Sequence, residues 1–168
     1  MLIHGASGAV GVFAVQLAKH IGATVTGVCS TANVELVKLL GADTVIDYNI
    51  TDFTQEPGAY DVILDTVGGT SFSRSTRVLA PNGRHVFVVQ DWLQLLQALW
   101  TSMRPGKRVI CGFSGGDSKA DLEEISRLID EGIIRPVIDR TFALDEIVDA
   151  HRYVETGRKK GGVVVSVL

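Results

Sequence analysis

Seven residues near the amino terminus form a glycine-rich turn that could bind a phosphate group. The turn reads Gly5-Ala6-Ser7-Gly8-Ala9-Val10-Gly11. It follows an apolar run at residues 1–4, predicted as the end of a buried strand, and precedes a helical pattern over residues 10–21. At a strand–turn–helix junction of this kind, free backbone N–H groups and the helix dipole converge on an anion. The sequence therefore predicts a phosphate-binding turn.

A second candidate site lies where a dinucleotide-binding unit contacts the adenosine ribose. In NAD-binding units an acidic residue about 20 positions further on holds the ribose 2′-hydroxyl. Counting from Gly11, this place falls at Ser30, in a segment without a carboxylate. Ser30, Thr31 and Asn33 offer neutral donors for a 2′-phosphate, so the sequence favours NADP(H) over NAD(H). Ser30 and Thr31 could also cap the following helix, and the two roles are compatible.

Alternating strand-like and helix-like segments would position these groups. Apolar β-rich runs predict strands at residues 1–4, 24–29, 44–47, 60–65, 83–89 and 107–113. Helical spacing predicts helices at residues 10–21, 34–40, 92–103 and 121–129. Repeated β–α units with continuous apolar strands indicate a parallel sheet covered on both faces. We therefore predict an α/β fold, a Rossmann-type doubly wound parallel sheet in three layers.

The sequence changes character near Pro136. Residues 135–142 have an extended pattern, residues 145–155 a helical one, and residues 162–168 form a final apolar run. We predict a Rossmann domain over residues 1–135 and a strand–helix–strand segment over residues 136–168.

Composition excludes several classes of function. The 168 residues are 46% hydrophobic and 21% charged, as in one globular domain with a core. A net charge of −3 gives no concentrated basic face for nucleic acid, and no apolar run is long enough to cross a membrane. Cys29 and Cys111 lie in apolar runs, which is typical of reduced cytoplasmic proteins. The four histidines lack metal-ligand spacing, so we expect no zinc site.

Several motifs occur together in a specific order. They are the segment 2–11 with Gln16-Leu17-Ala18-Lys19, the segments 40–48 and 61–69, and the tail segments 135–140 and 150–157. In this order they resemble the cofactor domain of zinc-independent medium-chain dehydrogenases/reductases, the quinone oxidoreductase-like branch. The likeness covers essentially the whole chain.

The resemblance implies roles for the residues at the adenosine and phosphate end. Beside Ser7 of the phosphate turn, the backbone of Gly8, Ala9 and Val10 would approach the pyrophosphate. The adenosine ribose and its phosphate would meet the residues already singled out at 30, 31 and 33. Tyr48 would lie against the same end, or would be a half-buried aromatic at a strand end.

The resemblance also implies a nicotinamide end and a cation. Thr66 and Val67, at the carboxyl end of the fourth strand, would line the nicotinamide ribose. Ala32 stands where relatives often carry Arg or Lys against the 2′-phosphate. Lys160 is then the nearest cation that could reach the cofactor phosphate, unless it only belongs to the solvated basic run 158–160.

The implied activity is hydride transfer from NADPH to a quinone, enone or similar carbonyl compound. Substrate in this family lies between the cofactor domain and an amino-terminal catalytic domain. A turn that begins at residue 5 leaves no room upstream for such a domain, so we expect a cofactor half without its partner half and assign no catalytic residue. The alternative is a stand-alone dinucleotide-binding or interaction module. The family pattern further implies a homodimer through the strand at 107–113.

Overall fold

A six-stranded parallel sheet forms the centre of the molecule. The computed structural model describes residues 1–55, 60–89, 91–111 and 118–167. The strands of the sheet are β1 (Leu2–His4), β2 (Thr26–Cys29), β3 (Thr44–Asp47), β4 (Tyr60–Asp65), β5 (Leu79–Phe87) and β6 (Arg108–Cys111). Their order is β3-β2-β1-β4-β5-β6, and every neighbouring pair is parallel. The predicted Rossmann-type doubly wound sheet is confirmed.

Helices connect the strands, and the tail adds a second, smaller sheet. The helices are α1 (Gly11–His20), α2 (Val34–Leu39), α3 (Phe72–Ser75), α4 (Trp92–Ser102), α5 (Lys119–Asp130) and α6 (Ile147–Glu155). In the tail, β7 (Ile138–Ala143) pairs in parallel with β8 (Gly162–Ser166) around α6. The final apolar strand therefore has a partner within the chain. The boundary at residue 136 stays a prediction.

The structure differs from the sequence pattern mainly around β5. The strand begins at Leu79, whereas the sequence predicted a turn at residues 81–83 followed by a strand. A shift in register makes this possible, because Leu79 pairs with Tyr60 while Arg84 pairs with Val62. The short helix α3, capped by the Ser71 side chain, was not predicted. Residues 112–113 and 168, the predicted ends of two strands, lie outside the described residues.

Two apolar clusters pack on opposite faces of the sheet. Ile3 packs with Val15 of α1 and Val37 of α2, all fully buried. Leu2 packs with Ile63 in the other cluster. Because successive side chains of a strand point to opposite faces, neighbouring residues of β1 supply both clusters. Complete burial of one such side chain contributes about 1.5–3 kcal/mol, so β1 is held from both sides.

The helix α4 leaves an apolar surface exposed. Trp92 and Leu99 in this helix and Met103 directly after it are 66%, 63% and 71% exposed. The Asp91 side chain caps the first turn of α4 by accepting hydrogen bonds from the backbone N–H groups of Leu93 and Gln94. No helix within the described residues is long and apolar enough to cross a membrane.

A fully buried histidine interrupts the apolar packing beside β4. The ring of His85 in β5 lies 4.0 Å from the ring of Phe87 and 6.3 Å from that of Phe72, measured between centroids. Both ring nitrogens are buried without a hydrogen-bond partner in the described part of the chain. Burial lowers the pKa of His85 from 6.5 to about 4, against the opposing charge of Asp65. The imidazole is therefore neutral at pH 7.

The buried histidine predicts a pH-dependent stability that one substitution should remove. Between pH 6.5 and about 4 the unfolded chain binds a proton at His85 that the folded chain excludes. The free energy of unfolding should therefore decrease as the pH falls through this range, by up to about 3 kcal/mol. In His85→Leu this decrease should be absent, as measured by urea unfolding at a series of pH values. The exposed His151, changed in the same way, is the matched control. An unchanged pH slope in His85→Leu would contradict the assignment.

Candidate functional site

The glycine turn packs tightly between β1, β2 and the start of α1. The backbone N–H groups of Gly5 and Ala6 both donate to the carbonyl of Val28, at 3.1 and 3.0 Å. Gly5 has a φ of +81°, which L side chains rarely adopt. At Gly11 an added Cβ would lie 2.1 Å from the carbonyl oxygen of Gly5. Glycine at these two positions is therefore required for the chain to turn directly from β1 into α1.

The first turn of α1 is open to an anion. Its N-cap residue, Val10, makes no side-chain capping bond, and the first turn contains no acidic residue. Ala9 and Val10 are exposed. Because the positive end of the helix dipole is not already neutralised by a carboxylate, a phosphate can approach it favourably.

A groove of about 650 Å³ runs along the carboxyl edge of the sheet beside this turn. Its walls come from the turn, from the ends of β2, β3 and β4, and from the tail. The lining residues are His4, Gly5, Ser7, Gly8, Cys29, Ser30, Ala32, Asn33, Tyr48, Asn49, Val67 and residues 157–160. The structure thus brings together most of the residues predicted from the sequence. Ala9, Val10, Thr31 and Thr66 are predicted residues outside this lining.

The residues after β2 have different hydrogen-bonding states. Ser30 precedes a 3₁₀ turn at Thr31–Asn33 and makes no side-chain capping bond. Asn33 is buried, and its Nδ2 donates to Ser7 Oγ at 3.0 Å. The hydroxyl of Thr31 accepts from Asn49 Nδ2 at 3.2 Å. The capping role considered for Ser30 is therefore not observed, whereas Asn33 holds the glycine turn against the end of β2.

The two residues after β4 also differ. The hydroxyl of Thr66 donates to the backbone carbonyl of His4 at 2.8 Å, so it ties β4 to β1. The side chain of Val67 is 59% exposed and faces the groove. Tyr48, at the end of β3, is 55% exposed. Val67 and Tyr48 therefore offer apolar surface to a ligand.

The tail closes one side of the groove with a basic segment. The backbone N–H of Gly161 donates to the carbonyl of Ser7 at 2.9 Å, which joins the tail to the glycine turn. The backbone N–H of Lys160 donates to Asp139 at 3.0 Å, and Lys159 Nζ donates to the Gly161 carbonyl at 2.9 Å. Arg158, Lys159 and Lys160 all line the groove, so the tail adds a basic segment to its wall.

The α1 helix is joined to the tail by a second contact. Gln16 Nε2 donates to the carbonyl of Arg135 at 3.1 Å, and its Oε1 accepts from the Arg135 backbone N–H at 2.8 Å. This paired amide contact fixes the point at which the chain leaves the first sheet.

Sequence reasoning missed a histidine–aspartate pair at the centre of the site. His4 ends β1 and Asp65 ends β4, and the two residues are register partners in adjacent strands. His4 Nδ1 lies 3.0 Å from Asp65 Oδ1. Although burial opposes ionisation, hydrogen bonds from His4, Thr70 and the Val67 backbone hold the pKa of Asp65 well below its usual range. Polar residues at two strand ends were the available signal, but they become neighbours only once the strand order is known.

A second cavity lies on the other side of His4. It has a volume of about 400 Å³. His4 and Tyr48 line both this cavity and the groove, while Phe53, Gly69 and Arg74 line only the second cavity. Among the described residues, no group of three or more His, Cys, Asp or Glu side chains is placed to hold a metal ion.

Comparisons with known proteins identify the class of this site. The sequence profile described as zinc-binding dehydrogenase matches residues 40–165. The mouse (Mus musculus) protein named NAD(P)H oxidoreductase RTN4IP1, mitochondrial, is 37% identical over 188 aligned residues, covering 99% of this chain and 48% of the mouse protein. The tomato (Solanum lycopersicum) 2-methylene-furan-3-one reductase is 34% identical over 98% of this chain and 39% of its own length.

A solved structure of an oxidoreductase is similar to this chain in both fold and sequence. The quinone oxidoreductase from Coxiella burnetii superposes with a TM-score of 0.88 and 32% sequence identity, covering 99% of this chain and 52% of that one. The chain therefore spans about half the length of the relatives that it matches.

Proposed function

Because the chain belongs to the zinc-binding dehydrogenase family, in the quinone oxidoreductase-like branch of the medium-chain dehydrogenases/reductases, we propose that it binds NADP(H) for hydride transfer. The hydride acceptor would be a quinone, an enone or a similar carbonyl compound. The relatives named as an NAD(P)H oxidoreductase and as a 2-methylene-furan-3-one reductase support this reaction class. As in the sequence prediction, zinc takes no part in the proposed reaction.

The groove is the observation that carries this proposal. It joins the glycine turn that leads into α1, a strand end without a carboxylate at Ser30, and the basic segment 158–160. A 2′-phosphate adds charge to the adenosine end, and neutral donors with cations nearby favour it. Lys160 and its neighbours in the basic segment would supply the charge that Ala32 does not.

The residues of this chain would bind and orient the cofactor. The nicotinamide ring, when bound, supplies the hydride. The turn at Ser7–Val10 would hold the pyrophosphate, and the loop around Ser30 and Asn33 would hold the adenosine ribose with Tyr48 alongside. Val67 would border the nicotinamide ribose, with Thr66 fixing the loop behind it. We assign no catalytic residue.

A second candidate function is dinucleotide binding without turnover. It rests on the groove alone, which offers contacts to a dinucleotide while none of its lining residues is assigned to catalysis. We also propose a cytoplasmic location for this chain. The name of the mouse relative, by contrast, places that protein in mitochondria.

Cofactor preference gives the first test. NADPH should bind more tightly than NADH in isothermal titration calorimetry. In Ser30→Asp a carboxylate would repel the 2′-phosphate and accept from a 2′-hydroxyl, so NADPH affinity should fall about tenfold, equivalent to about 1.4 kcal/mol, relative to NADH. Ser118→Asp adds the same charge at the distant start of α5 and serves as the matched control. Tighter binding of NADH by the unaltered chain would overturn the NADP(H) preference.

Turnover distinguishes the two candidate functions. NADPH oxidation, followed by its absorbance, should be accelerated by at least one member of a panel of quinones and enones if the reductase proposal holds for this chain. The same panel without protein gives the background rate. Saturable NADPH binding with no oxidation above background would favour the binding module instead.

We also propose a homodimer that pairs the β6 strands of two copies. β6 is the outer strand of the six-stranded sheet, and such an edge can pair with another chain. The exposed apolar side chains of α4 lie next to it in sequence and would enlarge the contact.

Sedimentation velocity should give a mass about twice 18.0 kDa. Ile110→Lys, at a side chain 41% exposed in β6, should shift the chain towards monomer because a buried ammonium disfavours the contact. Val164→Lys, at a side chain 39% exposed in β8, is the matched control and should leave the mass unchanged. A clean monomer for the unaltered chain would rule out the dimer.

A further inference from the structure

The Nε2 atom of His4 has no hydrogen-bond partner among the described residues. The ring of His4 lines both the groove and the second cavity, and it packs against Phe53 with centroids 5.5 Å apart. Its Nδ1 is held by Asp65 Oδ1 at 3.0 Å. Within residues 1–55, 60–89, 91–111 and 118–167, no group bonds to its Nε2.

The carboxylate of Asp65 decides which nitrogen carries the hydrogen. Asp65 is fully buried, and its Oδ1 also accepts from the backbone N–H groups of Val67 and Gly68 at 3.0 and 2.9 Å. The hydroxyl of Thr70 donates to Oδ2. With this many donors the carboxylate is ionised and can only accept, so His4 must donate through Nδ1. When the ring is neutral and Nδ1 carries the hydrogen, the lone pair lies on Nε2, which then offers an acceptor.

Several residues that share a cavity with His4 are ones proposed to contact the adenosine half of a dinucleotide. Tyr48 lines both cavities together with His4, and Ser30 and Asn33 line the same groove. These three residues are the ones proposed to meet the adenosine end. Adenosine carries N–H and O–H donors on its base and ribose, and such a donor is what an unpaired imidazole nitrogen can bind.

We propose that His4 is a positioning residue for the cofactor, an inference that rests on the proposed dinucleotide function. Its Nε2 accepts a hydrogen bond from the adenosine half, while Asp65 fixes the ring through Nδ1. The same carboxylate holds the backbone of Val67 and Gly68. Asp65 therefore holds both the ring proposed to contact the ligand and the loop that borders the groove.

Two amide substitutions separate the contact with the cofactor from the contact with Asp65. In His4→Asn the side-chain amide can replace Nδ1 as donor to Asp65, but nothing replaces Nε2. In His4→Gln the longer amide reaches towards the Nε2 position and leaves Asp65 without its Nδ1 donor. Removing one hydrogen bond to the ligand should weaken binding by roughly threefold to tenfold.

The expected pattern differs between the two variants. His4→Asn should keep the melting temperature of the unaltered chain. Its affinity for NADPH and for adenosine 2′,5′-bisphosphate should fall by the same roughly threefold to tenfold. His4→Gln should melt earlier and keep more of the affinity. If His4→Asn binds both ligands as the unaltered chain does, the role of His4 is overturned. If it loses affinity for NADPH and not for adenosine 2′,5′-bisphosphate, the assignment to the adenosine half is wrong.

A measurement on the unaltered chain avoids any dependence on how the variants fold. Nitrogen NMR of the ¹⁵N-histidine-labelled chain should show His4 protonated at Nδ1, and its Nε2 resonance should shift when adenosine 2′,5′-bisphosphate is added. His20 and His151 are exposed internal references. An unshifted Nε2 at saturation would overturn the inference while leaving the proposed function intact. A chain that binds neither NADPH nor NADH would overturn the proposed function itself.

Discussion

The close approach of backbone to backbone at the glycine turn is the constraint on which the site depends. A Cβ at Gly11 would lie 2.1 Å from the carbonyl oxygen of Gly5, so the start of α1 is pressed directly onto the end of β1. Both Gly5 and Ala6 donate to one carbonyl of β2. The turn therefore fixes the position of α1 relative to the sheet, and with it the first helical turn, which has no side-chain cap and no acidic residue. A side chain at Gly11 would push the start of α1 away from the end of β1, and an anion in the proposed site would contact both elements.

The tail contributes to this site through its contacts with the glycine turn and with α1. Gly161 donates to Ser7 in the turn, and Gln16 of α1 pairs with the backbone of Arg135. These contacts bring the basic segment 158–160 beside the turn, although it lies about 150 residues further along the chain. The cations of this segment can supply the positive charge that Ala32 does not provide. The proposed boundary at residue 136 thus divides the chain by topology, whereas the groove uses residues from both sides of it.

The sequence was sufficient for the sheet and for part of the site, for identifiable reasons. Apolar strands separated by helical patterns predict a doubly wound sheet, and a site at its carboxyl edge follows from the glycine turn. The start of β5 at Leu79 could not be predicted, because Pro81-Asn82-Gly83 is a typical turn sequence and only the register shift opposite Tyr60 accommodates it. The His4–Asp65 pair was missed because residues 61 positions apart meet only when β1 and β4 are neighbours. Ser30 lines the groove, but the hydrogen bonding of its side chain could not be predicted from the sequence.

The placement of charge explains how a buried carboxylate can lie beside a groove that is proposed to bind a phosphate-bearing ligand. Asp65 is fully buried, and its oxygens accept from His4, Thr70 and the backbone of Val67 and Gly68. Because these donors surround it, its charge is compensated inside the protein and is used to orient a ring and a loop. The residues that line the groove are different, since they include the neutral Ser7, Ser30 and Asn33 and the basic segment of the tail. The negative charge thus serves to arrange the site, and the neutral and positive groups remain available to a phosphate-bearing ligand.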